Sequence, residues 1–505
     1  MRRFFKRIVI AGFGLFLLLI LATGIRAYFA FRDRNPGYAL SLDIDAKTVE
    51  REQRILQAGF GRVKINPDLS DPKRPVWVAG FSQNRAATAI HDDLWAVACV
   101  IDDGYTRLGM VSLDAIGFFN DDVVAVRRRL GQDLKLNYTI VTSTHNHSTP
   151  DLMGLWGPNY LQTGVDPAYR EKVIAACVSS LQAAVAKLMP AQVAFLEISC
   201  PPTNLVADTR PPEVYDSDIR VMCFKDVAGE KMLGTLTTWG NHPETVWGRN
   251  TEITSDFCGY LRDALEKGVE IDGKRYAEGV GGLHMYVNGA VGGLMSTTPR
   301  VTVTDPYSGR EYKDPTHDKA RAVGHQLASR ILPRLRSADL VWTTNAPISV
   351  HAKTVEIPLK NKGYLLAGFL GLLDRGHVKW QTLRSEVAFL TFGGASIACV
   401  PGEIYPEIIN GGVEQPEGRD FSGPIVESPP IREMMPGSPK FVFGLANDEI
   451  GYILPHTQWD ANAPYTYGSR NGMYGEINSV GPDVAPILHS TLRELCQRSS
   501  AAKSP

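Results

Sequence analysis

The chain carries two imidazoles one residue apart in Thr144-His145-Asn146-His147-Ser148-Thr149-Pro150-Asp151. Neutral imidazole is a good zinc ligand, and in extended backbone residues i and i+2 turn to the same side, so both rings can face one site. The bland alternative is a pair of solvated loop histidines. Against it, two of only 11 histidines fall within three residues, flanked by Ser, Thr, Pro and Asp. Further candidates are His242 in Thr237-Thr238-Trp239-Gly240-Asn241-His242-Pro243 and Glu403 in Ala398-Cys399-Val400-Pro401-Gly402-Glu403. A fourth segment is Gly444-Leu445-Ala446-Asn447-Asp448 with Gly451-Tyr452. Taken singly, each of these three is as well explained by turn or capping chemistry.

What unites the candidates is their position after apolar runs. Trp95–Ile101, Leu108–Leu113, Tyr138–Thr142, Val193–Leu196, Gly234–Trp239, Val387–Phe392 and Ser396–Val400 are short and apolar or β-branched, as buried strands are. Helical patterns lie between some of them, at Asp121–Leu134, Ala168–Leu188, Asp256–Gly268 and His317–Leu335. Alternation of this kind predicts an α/β domain, with a mixed β-sheet core flanked by helices and ligands at strand ends. Residues 408–440, rich in Pro, Gly and Glu, read as a long surface excursion.

Composition narrows the class. The 505 residues are 44% apolar and 21% charged, which excludes disorder, coiled coil and a multi-span membrane protein. The charge sum, 53 − 54 = −1, leaves no cationic footprint for nucleic acid. Seven scattered cysteines without a CxxC give neither a thiolate zinc knuckle nor a disulfide framework. Nothing in the sequence points to a protein partner.

The N-terminus departs from this average. Arg2, Arg3, Lys6 and Arg7 precede 18 uncharged residues, Ile8 to Ile25. At about 1.5 Å per residue such a helix spans about 27 Å, close to a bilayer core. Leading cations favour a cytoplasmic N-terminus, so the body after Arg26 is expected to be extracytoplasmic. The rival is a cleaved signal peptide with Ala22-Thr23-Gly24 as its site, which would make the protein secreted. The apolar stretch exceeds the roughly 7–15 residues of a signal h-region, which favours an uncleaved anchor. Residues 1–34 are thus read as the anchor or signal segment, 35–58 as a tether, and 59–505 as one domain. A second apolar run, Tyr364–Leu373, is too short to span. It is either a core element, the ordinary expectation, or an interfacial lip.

Taken in order, the blocks resemble the neutral/alkaline non-lysosomal ceramidase family, zinc amidohydrolases that split an N-acyl sphingoid base. GFGRVKINP, AIHDDLWAVACVIDDG with VSLD, STHNHSTPD, Asp208-Thr209-Arg210-Pro211, WGNHPE, ITSDFCGYL, VPGE, GLANDEIGYILP and MYGEINSVGP carry the likeness, over about Gly59 to Pro482. The resemblance implies Zn²⁺ held by His145, His242, Glu403 and Tyr452. It also implies His147 beside the metal, with Arg210 and Tyr474 lining the site. Its expected activity is amide hydrolysis of a ceramide-like N-acylated lipid by metal-activated water, with His147, Tyr452 and Arg210 available for proton transfer or oxyanion stabilisation. For Asp114, Asp151 and Asp256 a role in orienting a ligand imidazole is weighed against plain turn or cap chemistry, the commoner outcome.

Two departures stand out. Where the family has Gly-Asp-Val-Ser-Pro-Asn, this chain has Asn288-Gly289-Ala290-Val291-Gly292-Gly293, so Gly292 replaces a serine and Ala290 an aspartate. After Pro482 only 505 − 482 = 23 residues remain, and the family's small C-terminal β-sandwich is expected to be absent. The altered loop keeps two alternatives open: a same-fold zinc hydrolase of a non-sphingoid amide or ester, or a non-catalytic relative.

Overall fold

The computed structural model describes residues 2–46 and 54–501. Residues 47–53 of the expected tether, Thr48 among them, and the last residues, 502–505, lie outside them. In chain order the main strands are β1 (Ser41–Ile44), β2 (Gln57–Lys64), β3 (Trp95–Asp102), β4 (Arg107–Leu113), β5 (Tyr138–Ser143), β6 (Met189–Ile198), β7 (Ile219–Asp226), β8 (Met232–Trp239) and β9 (Leu283–Asn288). They continue with β10 (Ile348–Pro358), β11 (Thr382–Phe392), β12 (Ala395–Cys399), β13 (Glu403–Ile404), β14 (Lys440–Phe443) and β15 (Tyr452–Ile453). The main helices are α1 (Arg2–Phe31), α2 (Asn120–Arg129), α3 (Pro167–Val185), α4 (Asp256–Lys267), α5 (His317–Leu335), α6 (Lys362–Leu370) and α7 (Val484–Ala501).

The mixed α/β class with a β-sheet core is as expected, and that core is built of two sheets. An eight-stranded sheet in the order β9-β8-β7-β6-β2-β3-β4-β5 faces a five-stranded sheet in the order β1-β10-β11-β12-β14. Alternation along the strands divides the core. Val97, Cys99 and Ile101 meet Leu390, Phe392, Ile397 and Phe441 between the sheets. Ala96, Ala98 and Val100 turn the other way, onto α3. On the far face of the smaller sheet, Val387 and Phe389 pack with Leu488 and Leu492 of α7. Strands buried on both faces need no polar alternation, which is why they read as continuous apolar runs.

The segment expected to be a tether is in part structured. Ser41–Ile44 pairs antiparallel with Lys353–Val350 as an edge strand, because the alternate residues Leu42 and Ile44 can pack on the core. Tyr364–Leu373 forms α6 and the turn after it. Ala367, Leu372 and Leu373 join a buried apolar cluster, as the core expectation has it, while Leu366 and Leu370 are 58% and 41% exposed, so that expectation holds for one side of the segment only. Residues 408–440 are mostly loop, as read, and close on β14.

Candidate metal centre

Three strand ends and one short strand pair deliver the site. β5 runs into the His145–His147 loop, and β8, parallel to β9, runs into His242. The two histidine loops are fastened together. Thr144 N donates to Leu113 O (2.8 Å), Asn146 N to Ala115 O (3.1 Å) and His147 N to Pro243 O (3.0 Å). Asn288, the last residue of β9, donates through Nδ2 to the carbonyls of both Thr144 and Asn241, each at 3.0 Å. The two imidazoles do converge, but not by strand alternation. His145 has φ 66°, a left-handed turn, and the hydrogen bonds of the loop hold it there. Gly80, at φ 108°, lies under His147, where a Cβ would come within 2.5 Å of the His147 Cβ. Only glycine lets the chain pass so close.

The third and fourth candidate ligands come from a separate pair of strands. Glu403 and Tyr452 are register partners in the parallel pair β13–β15. Glu403 Oε2 stands 3.2 Å from His145 Nε2 and 2.9 Å from His242 Nε2. Tyr452 OH is 3.4 Å from His242 Nε2. Both ligand-type histidines present Nε2 for the same reason: His145 Nδ1 lies 2.7 Å from Ile116 O and His242 Nδ1 lies 2.7 Å from Met295 O. A carbonyl only accepts, so the proton belongs on Nδ1 and the lone pair on Nε2. Ligands about 2.0–2.1 Å from one tetrahedral zinc stand about 3.3 Å apart, so the donor spacing suits that ion. The nitrogens of His145, His147 and His242 also lie within 4.8 Å of one another, which makes a three-imidazole group.

Burial sets the charges. At Glu403 it opposes ionisation, but the two imidazoles overcome it and hold the carboxyl far below the usual range. At His242 burial disfavours the cation, and the hydrogen bond and charge of Glu403 outweigh it, leaving the pKa raised. Burial wins at His147 and draws it down to about 4, although Glu244 Oε2 lies 3.0 Å from its Nδ1. That approach is poorly aligned for a hydrogen bond, and among the described residues neither ring nitrogen of His147 has a hydrogen-bonded partner. Burial, then the charge of Glu403, pushes the Tyr452 phenol well up. The same two causes raise the Glu449 carboxyl well above its ordinary value.

Most of the group, His242 apart, lies in the wall of a cavity of about 790 Å³, counting its open mouth. Ile116, Phe119, Leu359, Leu383 and Val480 line it, together with His145, His147, Glu403 and Tyr452. Tyr474 stands at the mouth, 54% exposed, with its ring 6.0 Å from that of Tyr452. Arg210 is engaged elsewhere. Its Nη2 donates to Glu476 Oε1 (2.6 Å) and Gln458 O (3.0 Å), and its guanidinium lies over the Tyr405 ring. Tyr405 in turn lies 6.1 Å from the Tyr452 ring, so Arg210 is one aromatic layer away from the ligands. The three aspartates have structural partners. Asp114 binds Arg262, Asp151 accepts from Met153 and Gly154 N, and Asp256 accepts from Phe257 N. Sequence reading missed Glu244, Glu449 and Asn288. Glu244 lies two residues beyond His242 and Glu449 three before Tyr452, but only the fold turns them toward the site.

No family model and no curated protein matches the chain. Solved structures do. The neutral ceramidase from Pseudomonas aeruginosa superposes with a TM-score of 0.65 at 16% identity, covering 90% of this chain and 75% of that one. A ceramidase complexed with C2 gives a TM-score of 0.63 at 16% identity, covering 88% and 75%. Over nine-tenths of its length, this chain has the fold of neutral ceramidase.

Proposed function

We propose that the chain is a zinc-dependent amidohydrolase acting on an N-acylated lipid, with ceramide the leading substrate and fatty acid and sphingosine the products. The observation that carries this reading is the convergence of His145, His242, Glu403 and Tyr452 on one point, 2.9–3.4 Å between neighbouring donors, with His145, Glu403 and Tyr452 in the wall of an apolar cavity. Those four would hold the zinc, which when bound supplies a Lewis acid that activates water and polarises the amide carbonyl.

The chain's own groups supply the rest. His147 is neutral at neutral pH and its Nε2 has no hydrogen-bonded partner among the described residues, so it can take a proton from water and pass it to the leaving amine. Glu244 beside Nδ1 favours the imidazolium that forms. The Tyr452 phenol keeps its proton and can donate to the carbonyl oxygen as charge develops there. The cavity's Ile, Leu, Val and Phe walls bury an alkyl chain, and Tyr474 at the mouth meets the polar end of the substrate. Arg210 acts at one remove, holding Glu476 and Tyr405 behind Tyr452. With α1 in the membrane, the body would work on its extracytoplasmic side; with α1 cleaved, it would be secreted.

A second reading, a non-sphingoid amide or ester as substrate, is favoured by one observation. Gly292 is pressed on Tyr405, where a Cβ would lie 2.6 Å from the backbone nitrogen, so this loop has no room for the serine it replaces. A non-catalytic role is disfavoured by the intact ligand set. The test is release of fatty acid from ceramide in detergent by the full-length protein, with and without a zinc chelator. Chelator-sensitive release is expected. Absence of release from folded, zinc-loaded protein would move the substrate off ceramide to the second reading.

A further inference from the structure

The cavity wall and the apolar N-terminal helix are parts of one joint. The helix α1 is exposed almost throughout from Phe4 to Ile25 and becomes part-buried only near its end, where Ala30 is covered. At its end it does not pass into a free linker. The Phe31 ring packs edge-on against Trp380 (4.8 Å) and His377 (5.0 Å). Asp33 receives both terminal nitrogens of Arg384, at 2.9 and 2.7 Å. Arg34 pairs with Asp374, and Asn35 Nδ2 donates to Asp121 Oδ1 at 2.6 Å. His377 N donates to Arg32 O at 3.2 Å. Single exposed ion pairs are worth little, but here an aromatic contact and several hydrogen bonds act on five consecutive residues, Phe31 to Asn35.

The element that receives α1 also closes the cavity. Tyr364 and Gly368 of α6, and Leu373 and His377 after it, line the cavity from within. On the outside, Leu366 and Leu370 form an i, i+4 stripe, 58% and 41% exposed, and Trp380 is 62% exposed. In the adjoining groove that Tyr364 and Tyr474 also line, Tyr160 and Ile477 are 77% and 62% exposed. Lys362 and Lys379 flank the stripe, the latter beside Glu356, as cations and Trp do at a headgroup layer.

We infer that this rim is a membrane-contacting lip: α1 is clamped to the body so that Leu366, Leu370 and Trp380 rest in the interface of the bilayer that α1 enters. The cavity mouth then opens onto the leaflet, and a lipid substrate reaches the site without crossing water. The inference rests on the proposed membrane anchor and lipid substrate. It is the continuity of the stripe with α1 that names the bilayer, rather than a protein, as its partner.

The native cysteines are all buried and free, so a thiol dye reports one introduced cysteine at a time. Full-length Leu18→Cys, Leu366→Cys, Leu370→Cys and Val227→Cys proteins would each carry an environment-sensitive fluorophore. They would be reconstituted in phosphatidylcholine–phosphatidylglycerol vesicles with or without a spin-labelled quencher lipid. Val227 follows β7, which runs antiparallel to β8, and therefore lies at the end of the sheet opposite His242. Quenching of roughly twofold is expected at positions 18, 366 and 370 and none at 227. Arg384→Ala, which loosens the clamp, should reduce quenching at 366 and 370 and leave 18 unchanged. Quenching at 18 with 366 and 370 behaving like 227 would overturn the lip while the anchor stood. Absence of quenching at 18 would remove the anchor, and the lip with it.

Discussion

Glu403 and Tyr452 sit opposite one another in register on two parallel strands of two residues each, and this pairing puts a carboxylate and a phenol against the same imidazole. The pairing is backed by Tyr405 N donating to Ile453 O at 3.0 Å and Glu403 N to Gly451 O at 3.1 Å. Glu403→Gln keeps the shape and removes the charge. Zinc affinity is expected to fall more than the ~10–100-fold typical of residues that only support ligands, with amide hydrolysis lost and the circular dichroism unchanged. Retained zinc by elemental analysis together with full activity would sink the ligand assignment.

Asn288 fastens the two histidine loops through a single amide. Asn288→Ala leaves the Thr144 and Asn241 carbonyls without that donor, at a cost of about 1–3 kcal/mol each where they stay buried. Because His145 and His242 follow those carbonyls closely, zinc affinity should drop by about tenfold or more along with Tm. A lowered Tm with unchanged zinc affinity would show that the loops hold their places without this bond.

Gly292→Ser adds a hydroxyl to this loop, but the added Cβ would meet Tyr405 Cδ2 at 2.5 Å and Tyr405 N at 2.6 Å. Overpacking against backbone typically costs about 1–3 kcal/mol. The variant should therefore melt earlier and turn over ceramide no faster, since relief of the clash displaces the segment that follows Glu403. A stable variant with a higher rate would mean the loop opens freely.

Glu407 gives stability a pH dependence of definite sign. It is buried with one carboxyl oxygen unpartnered, and burial lifts its pKa from 4.5 to about 7. The folded chain holds a proton that the unfolded chain releases. Stability is therefore full below 4.5 and declines as pH rises through 7, by at most on the order of 3 kcal/mol from this group. Glu407→Gln mimics the protonated acid. In urea melts it should match the wild type near about pH 5 and exceed it near about pH 8. Equal differences at both pH values would remove Glu407 as the source.

Much of the scaffold was legible because its signals are local. Seven apolar runs became strands, since residues buried on both faces leave a continuous trace, and the periodic segment His317–Leu335 is a helix at those bounds. Helix α3 begins where Asp166 caps and Pro167 fits the first turn. The small sheet's edge strand, Ser41–Ile44, was not legible. Four residues pair there only because the neighbouring Ile348–Pro358 leaves an open edge.

By itself the sequence determined which residue types were available to bind a metal, that they follow strands, and that an apolar helix precedes the body. Those properties depend on neighbours within a few residues. What the tertiary structure alone decided is where they meet. His145 and His242 converge because β5 and β8 end at loops that Asn288 joins, and Glu403 stands beside Tyr452 through strand register. The same holds for Arg210, which carries a site-like motif yet is held by Glu476 behind Tyr405. Contacts between residues far apart in sequence follow from packing two sheets and their helices around one core, and that packing leaves no mark in local spacing.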